Sequence, residues 1–212
     1  MPESFELNCP VPYSDSDRIL MSHGGGGSMS NRLLHDMFFK ILGNPYLNKE
    51  HDGAILDMDG VRIAFSTDSY VIDPVFFPGG NIGELAVNGT VNDLACCGAV
   101  PLYLSLGLIL EEGFPMEDLR RITESIREAA DKAGVLVVAG DTKVVGKGKG
   151  DKIFINTSGI GKVKEGVNIS PDNARPGDVV VLSGTLADHG VAIMAARNNL
   201  DFQTSVKAIQ PH

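Results

Sequence analysis

The sequence predicts an α+β fold in which helices are layered on a mixed or antiparallel sheet. Two strand-like segments, 54–58 and 61–67, flank Asp59 and Gly60, a pair that strongly favours a tight β-hairpin. Strand-like and helix-like segments then alternate irregularly, which argues against a doubly wound parallel sheet. With 43% hydrophobic and 21% charged residues, the chain has the composition of a folded protein.

The other elements follow from hydrophobic periodicity and from the positions of Gly and Pro. Ser28 is predicted to cap a helix that has one buried apolar face and ends at Gly43. The remaining predicted elements are, in chain order, a helix over 82–97, a central strand over 102–110, a helix from Pro115 to Gly134, and strands over 135–139 and 152–161.

Three regions are predicted along the chain. Residues 1–20 are rich in proline and polar residues and are expected to form a flexible lead-in. Residues 21–168 are expected to form the main domain, and a polar, proline-containing turn follows. Residues 169–212, with a predicted strand over 178–182 and a helix over 191–197, are too few to bury a core and are expected to begin a truncated second domain.

The net charge of −9 disfavours binding to nucleic acid or to anionic membranes. The one basic run, Lys147, Lys149 and Lys152, is interspersed with glycines and is expected to be a solvated hairpin tip. Neither an apolar stretch of about 20 residues nor a signal peptide is recognisable, so a cytoplasmic protein is expected.

The three cysteines, Cys9, Cys96 and Cys97, show no zinc-binding spacing and are expected to be reduced. For Cys96 or Cys97, a role as a small buried apolar residue in a helix is favoured over a role as a nucleophile.

The glycine run Gly24, Gly25, Gly26 and Gly27 precedes a predicted helix, where backbone amides could bind an anion. A flexible connector is an equally good interpretation, because four ordered glycines cost much conformational entropy. Neither a Walker sequence nor a dinucleotide fingerprint is present.

Three aspartates, Asp68, Asp93 and Asp141, follow or interrupt apolar segments. Carboxylates in such positions suit Mg²⁺ that bridges phosphate oxygens, although each alone is also a common turn or cap residue. Asn88 and Asn92 interrupt the same helix as Asp93, either as a solvent-facing stripe or as part of a ligand site.

Two further residues are candidates for the same chemistry. Lys143 could reach a phosphate site beside Asp141, or it could be a surface lysine in a hairpin. His189 could start a helix or face a cleft between domains.

Taken in order, several stretches resemble the hydrogenase maturation factor HypE family of the AIR-synthetase superfamily, which is PurM-like. They are the glycine run, residues 65–74, residues 76–83, Asn92-Asp93, and residues 140–145. The Asp-after-strand and Asn-Asp features are shared across the superfamily, whereas residues 65–83 are the HypE-like part.

The resemblance implies an ATP-binding domain that pairs with a second copy through its sheet and forms a barrel across a homodimer. It implies Asp68, Asp93 and Asp141 as Mg²⁺ ligands, Asn92 and the glycine run as further ATP contacts, and Lys143 as the catalytic lysine. The implied reaction is the ATP-dependent dehydration of an S-carbamoylated C-terminal cysteine to a thiocyanate. The implied partners are the carbamoyltransferase HypF and the HypC-HypD complex.

The chain departs from the family because it lacks most of a second domain and the terminal cysteine, so it is not expected to complete the reaction. Two alternatives are a different superfamily enzyme, such as a small-molecule kinase or selenophosphate synthetase, and a non-catalytic dimerisation or docking module.

Overall fold

The computed structural model describes residues 18–198 and divides the chain into two compact units, one up to Asn48 and one from Lys49 onward. The predicted lead-in over 1–20 and Cys9 therefore lie largely or wholly outside the described residues. Among the helices that the structure describes, none has the length and hydropathy to cross a bilayer.

The first unit is a short helical segment with a π-helical turn in its middle. It consists of a 3₁₀ turn (Met21–Gly24), α1 (Ser28–Leu33), the π turn (Leu34–Phe38) and α2 (Phe39–Leu42). The helix begins one residue earlier than predicted, because Gly27 rather than Ser28 is its N-cap. No residue of this helix is buried, so the predicted buried face is wrong.

The second unit is built on a mixed five-stranded sheet. Its strands are β1 (Ala54–Met58), β2 (Val61–Tyr70), β5 (Ala99–Glu111), β6 (Leu136–Val145) and β7 (Ile153–Val163), and a separate small hairpin comprises β3 (Phe76–Phe77) and β4 (Gly80–Asn81). The strand order in the sheet is β1-β2-β7-β5-β6. All neighbouring strands are antiparallel except β5 and β6, which are parallel because the helix α4 (Met116–Ala133) connects them as a crossover.

The predicted β1–β2 hairpin is confirmed. Asp59 and Gly60 both have positive φ, +54° and +83°, as a two-residue turn of this kind requires. The Asp57 carboxylate accepts a hydrogen bond from the Gly60 amide at 3.0 Å, which further stabilises the turn.

Side chains alternate between two different faces of the sheet. On β7, residues 153, 155, 157 and 163 are buried beneath helices, whereas Asn156, Ile160 and Lys162 between them are exposed. We call the first side the helix face and the second the open face. Because paired residues on neighbouring strands point to the same side, the strand register assigns every strand residue to one of these faces.

Two helices, α3 (Ile82–Cys96) and α4 (Met116–Ala133), cover the helix face. The Asn81 side chain caps α3 by accepting hydrogen bonds from the amides of Gly83 and Glu84. Gly134 ends α4 as predicted, with φ +68°. The buried residues of α4 are Ile122, Ile126, Ala129 and Ala130, at helical spacing.

The segment after the sheet differs from the prediction. Residues 178–182 form no strand in the described part of the chain, and Val179, Val180 and Val181 are more than 80% exposed. A strand requires a neighbour to pair its backbone groups, and hydrophobic content alone cannot supply one. The predicted helix does form, as α5 (Asp188–Arg197), and its Ile193 packs into the core.

Two predictions near β6 also need correction. Asp141 and Lys143 do not follow a strand but lie inside β6, which extends to Val145. The basic run is not a hairpin tip, because β5 lies between β6 and β7. The loop instead crosses the end of β5, where the Glu111 carboxylate accepts hydrogen bonds from the amides of Gly148 and Lys152.

The crossing of α3 and α4 should be sensitive to a single methyl group. A Cβ at Gly83 would lie 2.6 Å from the Ile122 carbonyl oxygen, so Gly83→Ala should lower the free energy of unfolding by about 1–3 kcal/mol. Gly190→Ala in α5 is the matched control, since its Cβ would meet nothing within 4 Å. Urea denaturation measures both, and equal stability of the two variants would contradict this packing.

Candidate functional site

Asp68 and Asp93 lie close together on the helix face, on different elements. Asp68 shares this face with Ser66, two residues before it on β2, and Asp93 lies near the C-terminal end of α3. The Ser66 hydroxyl is 2.7 Å from Asp93 Oδ2 and 3.0 Å from the Asp52 carbonyl oxygen. Because this hydroxyl carries one hydrogen, it can donate to only one of these two oxygens at a time.

The surroundings of Asp93 are unfavourable for its negative charge. Burial raises the pKa of the Asp93 carboxyl above its usual range, and the charges of Asp68 and Asp52 add to this effect. The hydrogen bond from Ser66 acts in the opposite direction. A cation bound between Asp68 and Asp93 would relieve the repulsion.

Asp141 and Lys143 form a second group on β6. The Lys143 ammonium donates to both Asp141 carboxylate oxygens at 2.7 Å, so the two side chains lie on one face of the strand. The hydrogen bond from Lys143, together with its charge, lowers the pKa of Asp141. Both side chains are more than two-thirds exposed, and the ion pair is therefore open to a ligand.

The strand register places these two groups on opposite faces of the sheet. Asp68 pairs with Thr157, whose hydroxyl contacts α3, so Asp68 is on the helix face. Asp141 pairs with Gly107, which pairs with Asn156 on the open face. A single chain therefore does not bring Asp68 and Asp141 to one side of its sheet.

No three His, Cys, Asp or Glu side chains within residues 18–198 are grouped tightly enough to hold a metal ion. The donor set nevertheless fits Mg²⁺ bound together with a nucleotide, because Mg²⁺ often takes one or two carboxylates and completes its shell with phosphates and water. Asp68 and Asp93 supply two such carboxylates with a hydroxyl beside them.

The other predicted site residues are less informative. Asn92 is exposed and Asn88 is half-buried, both on α3 near Asp93. The glycine run leads directly into α1, as predicted, and the Gly26 amide donates to the Ser30 hydroxyl at 2.9 Å. Gly26 has φ +72°, which favours glycine at that position.

Cys96, Cys97 and His189 do not have the properties of reactive groups. Cys96 and Cys97 are both free, as expected; Cys96 is exposed and Cys97 is buried. Burial raises the pKa of Cys97 to about 11 and also raises that of Cys96, which disfavours thiolates. His189 is the second residue of α5, in agreement with the helix-start interpretation. Its ring packs edge-on against that of Phe77, with 6.0 Å between the ring centroids.

Several polar residues that contact the candidate site were missed in the sequence. Ser66 could have been noticed, since it is two positions before Asp68 and so shares its face. Asn156 could not have been noticed in the sequence, because only strand pairing brings it beside Asp68.

A buried chain of hydroxyl groups between α3 and the sheet was also missed. Thr157 donates to the Ala86 carbonyl at 3.0 Å, so Thr90, at 2.6 Å, must donate to Thr157. Tyr70, with its pKa raised to about 12 by burial, is the remaining donor to Thr90.

Comparisons with known proteins agree with this architecture. Residues 50–163, which contain the whole five-stranded sheet, match the family described as AIR synthase related protein, N-terminal domain. The carbamoyl dehydratase HypE of Rhizobium leguminosarum bv. viciae is 50% identical over 189 residues, which are 89% of this chain and 54% of that protein. The chain thus spans about half the length of the curated relatives it matches.

Solved structures give the same answer. The HypE in a crystal structure of a HypE-HypF complex is 53% identical and superposes with a TM-score of 0.78, over 82% of this chain and 56% of that one. HypE crystallised in complex with ATP is 50% identical with a TM-score of 0.68, over 90% of this chain and 56% of that one. The chain therefore belongs to the AIR-synthase-related family, as a PurM-like N-terminal domain, and within that family it resembles the HypE carbamoyl dehydratases.

Proposed function

We propose that this chain supplies the ATP-binding part of a cytoplasmic carbamoyl dehydratase that makes thiocyanate for nickel-iron hydrogenase maturation. The observation that carries the proposal is that Asp68 lies near Asp93 and that Asp141 forms an ion pair with Lys143. Both occur in a chain whose sequence is 50% identical to that of a HypE protein. ATP as the nucleotide is supported by the HypE crystallised with ATP.

In this proposal Asp68, Asp93 and Asp141 hold Mg²⁺ with the ATP phosphates, and Asn92 and the glycine run contact the nucleotide. Bound Mg²⁺ would neutralise phosphate charge during phosphoryl transfer. Lys143 would place its ammonium near the transferred phosphoryl group, where negative charge must be stabilised. Asp141 keeps that ammonium in place, because it pairs with Lys143 at 2.7 Å.

The proposed reaction begins when the carbamoyl oxygen of the S-carbamoylated cysteine attacks the γ-phosphorus and ADP leaves. The C–O bond then breaks, phosphate leaves, and the nitrogen loses both protons to give S–C≡N. Overall, one carbamoyl thioester and one ATP yield one thiocyanate, ADP and phosphate. Phosphorylation is needed because it converts a poor leaving oxygen into a good one.

We further propose that two copies of the chain complete the site in a homodimer. Asp141 and Lys143 lie on the open face, away from Asp68. An apolar row crosses the same face, with Phe65, Ile160, Tyr103 and Leu136 in register and 40–62% exposed. Such a row favours burial against a second sheet, and pairing through it would form a barrel.

HypF as a partner is supported by the HypE-HypF crystal structure. The HypC-HypD complex, implied by the family resemblance alone, would receive the cyanide. We also propose a domain boundary near residue 169, with the start of a second domain beyond it. Since the chain spans about half the length of its relatives, nucleotide binding rather than turnover is the property to measure.

Two other functions are weaker. A different superfamily enzyme, such as a small-molecule kinase or selenophosphate synthetase, does not account for identity of about one half to HypE proteins. A docking module without catalysis would not require the unfavourable placement of Asp93 beside two other aspartates.

The first prediction concerns Mg-ATP binding. Asp68→Ala should weaken it on the order of tenfold or more in calorimetry, because loss of a ligand worth 1.4 kcal/mol is already tenfold. Asp131→Ala is the matched control, since Asp131 is an exposed carboxylate that pairs with Arg127. Equal Mg-ATP affinity for wild type and Asp68→Ala would contradict the proposed site.

The second prediction concerns pH. A carboxylate must lose its proton to bind Mg²⁺, and the pKa of Asp93 is raised. Mg-ATP affinity should therefore have its full value above that pKa and should decrease as the pH falls through it. The loss should begin at a higher pH than an ordinary aspartate would cause. Asp93→Asn should bind more weakly and lack this step in calorimetry across pH, and an identical pH profile for both proteins would exclude Asp93 as a ligand.

The third prediction concerns the shared site. Asp68→Ala and Asp141→Ala homodimers should each bind Mg-ATP poorly, but the mixed dimer has one site in which both aspartates are intact. Co-expression with random pairing should thus restore about a quarter of the wild-type sites. If each site were formed by one chain, no site in the mixture would be intact and calorimetry would detect no recovery.

A further inference from the structure

Asn156 lies on the open face of β7 and contacts the strand that carries Asp68. Its side-chain amide Nδ2 is 2.9 Å from the Asp68 carbonyl oxygen, 3.0 Å from the Ser69 hydroxyl and 3.4 Å from the Thr67 hydroxyl. The amide has two hydrogens, so the two shorter contacts, to Asp68 and Ser69, are the ones it satisfies best. Asn156 thereby contacts both residues of one peptide bond, Asp68 through its backbone carbonyl and Ser69 through its side-chain hydroxyl.

That peptide bond controls the direction of the Asp68 carboxylate. Asp68 Oδ1 accepts a hydrogen bond from the Ser69 amide at 2.7 Å, so the carboxylate is oriented by the same peptide group whose carbonyl Asn156 binds. The carboxylate lies on the helix face and Asn156 on the open face. Asn156 can therefore influence Asp68 only through the backbone.

We propose that Asn156 is a positioning residue of the nucleotide site, which fixes the Asp68–Ser69 peptide and so aims the Asp68 carboxylate at the metal. This inference rests on the proposed function, and it adds a residue outside the aspartates, lysine and glycines assigned above. Since positioned ligands bind a metal better than mobile ones, loss of Asn156 should weaken Mg²⁺ more than it weakens the nucleotide itself.

Asn156 also lies in the row of the open face that leads to Asp141. Ser69, Asn156, Gly107 and Asp141 form one row in register across four strands of the open face. Gly107 has no side chain, so none separates Asn156 from Asp141 along this row. A Cβ at Gly107 would make only ordinary contacts, the nearest at 3.6 Å to the Asn156 carbonyl oxygen, so packing within the chain does not require the gap.

The side chain of Asn156 is exposed. Its effect on metal binding can therefore be measured separately from its effect on stability. Water can replace an exposed amide, so its removal leaves no buried polar group without a partner. Asn156→Ala should consequently melt within about 3 °C of wild type, since only larger losses of stability move the midpoint further.

The test is calorimetric titration of ATP into the chain over a range of Mg²⁺ concentrations, with thermal melting in parallel. We expect Asn156→Ala to raise the Mg²⁺ concentration for half-maximal ATP binding on the order of tenfold, with metal-free ATP affinity unchanged. Asn156→Asp should have a larger effect than Asn156→Ala, because its carboxylate cannot donate to the Asp68 carbonyl oxygen and its negative charge repels that oxygen.

Ser158→Ala is the matched control, since Ser158 lies on the same strand and face but donates to the Thr67 hydroxyl, not to Asp68. We expect its Mg²⁺ requirement to match that of wild type. The inference is overturned if Asn156→Ala keeps the wild-type Mg²⁺ requirement, or if it loses metal-free and Mg²⁺-dependent binding equally. If wild type itself fails to bind Mg-ATP, the proposed function falls and the inference with it.

Discussion

Successive side chains of β2 and β7 alternate between the two faces of the sheet, and this alternation sets where the core, the candidate site and the open face lie. Because successive residues point to opposite faces, Ser66, Asp68 and Thr157 lie under α3, while Thr67 and Asn156 lie on the open face. The same strands thus carry part of the core, one side of the candidate site and an exposed surface. A shift of one residue in this pairing would move every side chain of the shifted strand to the opposite face of the sheet.

The position of α3 depends on a glycine in β7. Gly159 has no side chain, and a Cβ there would lie 2.8 Å from atoms of both Thr90 and Leu94, so α3 packs directly against the strand. The buried hydroxyls of Thr90 and Thr157 then hold the helix to the sheet. This close contact places Asp93, one turn after Thr90, within hydrogen-bond distance of Ser66.

Much of the fold could be predicted because its signals are local. The turn at Asp59 and Gly60, the cap at Gly134 and the spacing of Ile122 and Ile126 each reflect the geometry of one element. The errors arose where a neighbour decides the outcome. Residues 178–182 have the composition of a strand but no strand pairs with them in the described part of the chain, and β6 continues past Asp141 because β5 pairs with it as far as Val145.

The class of fold, the family resemblance and the identity of the charged groups depend on residue types and their spacing, so they could be predicted from the amino-acid sequence. The folded chain was needed to show that Asp68 lies with Asp93 and apart from Asp141, and that Asn156 lies beside Asp68 although 88 residues separate them. Strand register and helix packing are set by contacts between distant segments, which no local pattern encodes.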